Sequence, residues 1–230
     1  NTETREWCGI IRNAGDFYEL YGIVGNGQLL DLTAGTSGGF AIDGGVDVSA
    51  ENYQIPDNGG SMPIVYFSQG GGQPWSALPF GGGNIASSGC SITSLAMVVS
   101  YLTGGTDQDA WVFPSDIRAM IQAKTGNYNT FYAGNGQSWS IMSAVPGYYG
   151  LGCNQIGSGS LVSALASGMP VIMSFKPGEI TNSGHFIVLS GLTEDGYIVV
   201  NDPSHPDKAY KKYTASYIAS QGKGWWAFSK

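Results

Sequence analysis

Charge is what this chain has least of. Asp, Glu, Lys and Arg make up only 12% of its 230 residues, about half the usual quarter. The balance is acidic, 10 Lys and Arg against 17 Asp and Glu, for a formal charge of −7. So few cations cannot neutralise a run of phosphates, which excludes nucleic acid as the expected partner. The densest basic stretch, "DKAYKK", reads as a solvated turn. Histidine is scarcer still, at two, and cysteine stands at three. With no Cys-x-x-Cys and only two imidazoles, no zinc-type ligand spacing is present, so neither a metal nor another cofactor is expected. No apolar run approaches the roughly 20 residues that cross a bilayer. The opening "NTETREW", with neither Met nor a signal-peptide core, predicts a processed piece of a secreted protein, extracellular or cell-wall associated.

What the chain does have is glycine, 36 residues of it, and a normal hydrophobic content of 42%. That is enough for one sizeable core with room for an appendage. Residues 1–57 read as a small β-rich segment, broken by the hairpin signal "GNG" and ending in the linker "PDNGG". Residues 58–230 form the main domain. A strand is expected at Ile64–Phe67, then the Gly-rich loop "SQGGGQPWSALPFGGGNIASSG". From Ser91 to Leu102 the spacing of Ile92, Leu95, Ala96, Val99 and Leu102 predicts a helix with one buried stripe, stopped by Gly104 and Gly105. "FPSDIRAMIQAKTG" predicts a second helix, N-capped by Ser115, with Ile117, Met120 and Ile121 on one face and Gly126 past its end. "GQSWSIMSAVPGYYG" gives a shorter one limited by Pro146. "GSLVSALASG" gives another, ended by Gly168 and leading into the buried-strand run "MPVIMSF". Two strands around Asp195-Gly196 follow, and "KGWWAFSK" closes the sheet. Helices first and an antiparallel sheet after them make an α+β fold.

Cys90 stands at the first turn of its helix, where free N–H groups and the positive end of the dipole favour a thiolate. An unperturbed cysteine is only about 3% thiolate at pH 7, whereas a helix N-terminus plus a His⁺ partner makes it a major species. Nucleophilic use of that thiolate needs an imidazole and a group to orient the imidazole. His185 opens an apolar strand, and Asp202 ends the next one in "VVNDPS". A two-residue turn at Asp195-Gly196 would set Asp202 opposite Leu189, roughly 13 Å from His185 at strand rise. A four-residue loop, Leu192 to Asp195, would set it directly opposite His185, and the functional reading requires that wider loop. Taken singly, Cys90 reads as a small buried hydrophobe, His185 as a satisfied strand histidine, Asp202 as a turn residue and His205 as loop. Their order along the chain carries the chemistry. Cys8 and Cys153 are read either as a disulfide or as two unpaired thiols.

The stretches "YFSQGGGQPWSALPFGGGNIASSGCSITSLAMVVSYLTG", "GSLVSALASGMPVIMSF", "SGHFIVLSGL" and "GYIVVNDPS" together resemble the papain-like cysteine peptidases of the bacteriocin-leader-processing type, especially secreted relatives without a transporter. The resemblance spans roughly Val65 to Ser204. It implies a papain-like fold with Cys90 as nucleophile, His185 as general acid–base and Asp202 as the residue that orients it. It also implies an oxyanion donor upstream, for which Gln69 in "YFSQ" fits best and Gln73 is the rival. Ser91-Ile92 replaces the Gly-Pro usual after the cysteine, and the Gln-to-Cys separation is long. The expected activity is hydrolysis of peptide bonds through an acyl-thioester, by a monomer, on a protein, a peptide or peptidoglycan peptides. The alternatives are a non-catalytic peptide-binding or adhesion module and an acyl transferase using the same triad.

Overall fold

The computed structural model of the chain describes residues 62–134, 136–177 and 184–230 throughout, together with four short strands nearer the amino terminus. The chain divides into two compact units, Asn1–Asn52 and Tyr53–Lys230. In the first, β1 (Ile11–Arg12) pairs with β2 (Tyr18–Glu19), and β3 (Tyr21–Ile23) pairs with β4 (Leu29–Asp31). Ile23 sits opposite Leu29, so the β3–β4 pair flanks the "GNG" read as a hairpin turn. The "PDNGG" linker and Cys8 lie outside the described residues.

The described part of the second unit opens at Met62 with an extended apolar segment in which Ile64, Val65 and Phe67 have no exposure. The strand expected at Ile64–Phe67 belongs to no sheet. Its hydrogen bonds go elsewhere: Tyr210 Oη donates to the Ile64 carbonyl at 3.0 Å, and the Gln69 amide donates to the Pro203 carbonyl at 2.8 Å. A side chain and a turn thus take the place of a ladder partner.

A hairpin, β5 (Pro79–Phe80) with β6 (Gly83–Asn84), precedes the one-turn α1 (Ile85–Ser88) and the long α2 (Cys90–Gly104). The stripe expected on α2 is too narrow. Besides Ile92, Leu95, Ala96, Val99 and Leu102, its Ser91, Thr93, Ser94, Met97, Val98 and Ser100 are also buried. A helix buried almost all round is the central element of its unit, not a surface one. Two of its buried hydroxyls find partners, Ser94 Oγ donating to the Phe186 carbonyl and Ser100 Oγ to the Val112 carbonyl. Gly105, at positive φ, ends it as expected.

α3 (Pro114–Thr125) starts one residue before the expected Ser115 cap, with Pro114 in its first turn and Phe113 as N-cap. Proline's fixed φ and missing N–H suit that first turn. The Asp116 carboxylate then accepts the Phe113 amide at 2.8 Å. Ile117 and Ile121 are buried, while Met120 is only half-buried. A second small hairpin, β7 (Tyr132–Ala133) with β8 (Gly136–Gln137), leads to α4 (Ile141–Tyr148). α4 runs two residues past Pro146 before ending, so Pro146 lies inside the helix and does not limit it.

β9 (Gly152–Ile156), α5 (Leu161–Ala166), β10 (Val171–Phe175), β11 (His185–Leu192), β12 (Tyr197–Asn201), β13 (Lys211–Thr214), α6 (Ala215–Gln221) and β14 (Gly222–Ser229) complete the unit. Six of these strands form one antiparallel sheet in the order β13-β12-β11-β10-β14-β9. All five residues of β10 are buried and so are the first seven of β11, which is why these strands read as unbroken apolar runs. The last strand does not close the sheet at its edge. β14 inserts between β10 and β9. Edge strand β13 carries exposed Lys211 and Lys212, a charge pattern that discourages pairing with another chain. The second unit is an α+β fold, with α2 packed on the sheet at β11.

Candidate active site

The stretch "NIASSGC" builds two helices end to end. Asn84 caps α1 by accepting the Ser87 amide at 3.0 Å, and Ser87 Oγ accepts the Asn84 amide at 3.1 Å, a reciprocal capping box. Gly89 then joins α1 to α2. A Cβ on Gly89 would lie 2.4 Å from the Ile85 carbonyl oxygen, so only glycine lets the two helices meet this closely. The result is Cys90 as the first residue of α2, its amide and that of Ser91 at an uncapped helix start.

Burial alone would raise the Cys90 thiol. It is outweighed by a hydrogen bond to His185, by the attraction of that imidazole, and by the backbone amides of Phe186 and Ser91 facing the sulfur. The thiol is held below its usual value. His185 is 6% exposed, and burial opposes its charge. Hydrogen bonds to Asp202 and Cys90 prevail and push it up to about 10. Asp202, 1% exposed, is likewise penalised by burial, but its bond to His185 holds it below the ordinary carboxylate value. The two protons of such a coupled pair belong to the pair, and the arrangement favours thiolate with imidazolium.

The His185–Asp202 contact is short, 2.6 Å from Nε2 to Oδ1. With Nε2 given to Asp202, Nδ1 is the nitrogen available to the thiol. The strand register that the sequence reading required is absent. Val188 faces Asn201 and Leu189 faces Val200, then a bulge at Ser190 shifts the pairing to Gly191 with Val199 and Leu192 with Ile198. Since Val188 faces Asn201, Asp202 falls level with Ile187, two residues from His185. Such diagonal neighbours share a face and lie within reach of long side chains. The contact therefore forms through the side chains, without the direct opposition expected.

Gln69 is 5% exposed and its Nε2 donates to the Ala86 carbonyl at 2.7 Å. The long Gly-rich insertion folds back on itself, with the Ala86 amide bonded to the Ser76 carbonyl and the Ile85 amide to that of Leu78. This brings Gln69 beside the residue four before Cys90. Gln73 sits half-exposed on the turn that ends at Ser76. The Gln69 segment is also stitched to the Asp202 turn. Tyr66 Oη donates to the Asp202 carbonyl at 2.8 Å, and the Gln69 amide to the Pro203 carbonyl at 2.8 Å.

Two participants were not expected from the sequence. Tyr66 is one, read there only as part of a strand. His205 is the other, read as loop, yet its Nδ1 lies 2.9 Å from Asp202 Oδ2. The signal was available in "DPSHP": a three-residue step, bent by two prolines, returns a side chain to the carboxylate that starts it. His185, Asp202 and His205 offer ligand atoms within 4.8 Å of one another, close enough to hold one metal ion. Their 2.6 and 2.9 Å contacts are hydrogen bonds that already account for the cluster. Among the described residues Cys153 is a free, half-buried thiol, and Cys8, the other half of the alternative disulfide, lies outside them.

The profile of the family described as "Peptidase_C39 like family" matches residues 63–229. Among solved structures, the chain is similar to the peptidase domain of Streptococcus ComA, a bi-functional ABC transporter involved in a quorum-sensing pathway. The identity is 15% and the TM-score 0.44, over 60% of this chain and 88% of that one. A search of curated protein sequences found no match.

Proposed function

The chain belongs to the Peptidase_C39-like family, and from that premise we propose that it is a cysteine peptidase hydrolysing peptide bonds through an acyl-thioester on Cys90. One observation carries the reading: the His185 imidazole is hydrogen-bonded to both the Cys90 thiol and the Asp202 carboxylate. A thiolate so held attacks the scissile carbonyl carbon. The oxyanion is received by N–H groups at the start of α2 and by the second Nε2 hydrogen of Gln69, the first being bonded to Ala86. A donor of this kind is worth about 3–4 kcal/mol in comparable sites. His185 then gives its proton to the departing amine, and water, deprotonated by the same imidazole, releases the acyl group.

Peptides are the substrate class, whether free, within proteins or from peptidoglycan. The decisive experiment is incubation with an unbiased peptide mixture and peptidoglycan fragments, read by mass spectrometry for new termini and for an acyl adduct on Cys90. Cleavage by the wild type, lost in Cys90→Ala, is the expected result. A Cys90 that alkylates only near pH 8.5, the reference thiol value, and is indifferent to His185→Ala would overturn it and leave a binding module.

A further inference from the structure

The Asp202 carboxylate has two oxygens, and the reaction as written uses one. Oδ1 meets His185 Nε2 at 2.6 Å and also accepts the Ser204 amide at 2.9 Å. Oδ2 faces His205 Nδ1 at 2.9 Å. The two rings stand edge to face, 6.3 Å between centroids and 85° apart. A buried carboxylate can turn about its last torsion, which is broad and roughly two-fold, and any turn would lengthen the short bond to His185. A backbone amide on Oδ1 alone does not stop that turn. A donor on Oδ2 does, because the two oxygens are then fixed from opposite sides.

We propose that His205 is a positioning residue for the candidate triad. Its Nδ1–H donates to Asp202 Oδ2, locks the carboxylate plane, and thereby keeps Oδ1 aimed at His185. His205 touches neither the thiol nor the scissile bond, so its effect reaches Cys90 only through Asp202 and His185. The proposal rests on the peptidase reading above and deepens it. Its side chain is 40% exposed, so it can be replaced without opening the core. Asn is the conservative replacement, since a side-chain amide N–H can stand near the position of Nδ1. The other titratable groups around the cluster are Tyr66, Tyr210 and Asp207, none of which the substitution removes.

The test is the pH dependence of Cys90 alkylation by iodoacetamide, mapped by peptide mass spectrometry in the full chain. The wild type is compared with His205→Ala, His205→Asn and His185→Ala, and folding is checked by thermal melting. His205→Ala is expected to move the apparent thiolate transition upward by on the order of one pH unit, a roughly tenfold loss of labelling below it. His205→Asn is expected to restore most of the wild-type profile. A merely structural role would lower the melting temperature without moving that transition. An unchanged profile in His205→Ala, or a shift that Asn does not reverse, overturns the proposal. If His185→Ala also leaves the profile unchanged, the peptidase reading itself has failed. If His185→Ala moves the profile and His205→Ala does not, only the positioning role has.

Discussion

Cys90 and Cys153 are both partly exposed thiols in the same unit, and their chemistry is opposite. Cys153 lies in edge strand β9, paired opposite Phe228, and burial pushes its thiol up to about 11. Cys90 is also penalised by burial, yet it is held below its ordinary value because His185 and two backbone amides face the sulfur. At Cys153 no such donors act, and burial alone shifts its thiol. A helix start leaves its amides free. Desolvation is common to both sites, and the partner decides which thiol becomes an anion.

The comparison breaks most completely if its nucleophile is removed. Cys90→Ala is expected to abolish peptide cleavage and acyl-adduct formation, whereas Cys153→Ala retains both, as followed by mass spectrometry of products. Next comes the imidazole. In His185→Ala, Cys90 loses the partner that sets it apart from Cys153. Labelling at pH 6 should then fall about tenfold to a hundredfold, because a smaller thiolate fraction is partly offset by a more basic, more nucleophilic sulfur. A smaller step is Asp202→Asn, which keeps a hydrogen-bonding group beside His185 but removes the charge. We expect about a tenfold loss of labelling at pH 6, and a change under twofold would mean that Asp202 only fills space.

The same ion pair makes a pH-dependent contribution to stability. His185 is raised to about 10 from an unfolded value of 6.5, so its contribution is full below about pH 6.5 and is lost as pH rises towards 10. Asp202 is lowered from 3.8, so its contribution is full above that value and is lost as pH falls through its lower folded value. The difference in melting temperature between wild type and Asp202→Asn should therefore be widest between about pH 4 and 6.5 and narrow steadily above it. A difference independent of pH would mean that the pair is not charged in the native state.

The sequence made Cys90, His185 and Asp202 legible because each sits at a boundary of an element that periodicity marks: a helix start, a strand start and a strand end. The α+β order was legible for the same reason. What escaped lay outside periodic segments. β9 has too little alternation in Gly-Cys-Asn-Gln-Ile to stand out, and the place of β14 between β10 and β9 is long-range pairing that no local pattern encodes. The bulge at Ser190 shifted a register that loop length alone was expected to fix. Tyr66 and His205 act on Asp202 from a non-repetitive segment and a turn, where contacts depend on how the chain folds back. The N-cap falls at Phe113, two residues before Ser115, because Pro114 suits the first turn and the Asp116 carboxylate accepts the Phe113 amide.

The smallest effect is the one that sharpens the comparison furthest. At pH 6 a thiol with a value near 11 is ionised to only about one part in 10⁵, against a larger thiolate share at Cys90, which is held below its ordinary value. The lower basicity of Cys90 returns part of that advantage, since nucleophilicity falls with pKa. Net selectivity for Cys90 should still be at least about tenfold. Cys153→Ser, which removes the competing thiol and keeps a small polar side chain on β9, should then leave both the rate and the pH profile of Cys90 labelling unchanged. If instead the profile moves, β9 and the start of α2 communicate across the sheet, and the reactivity of Cys90 is a property of the whole unit, set by more than the residues that touch its sulfur.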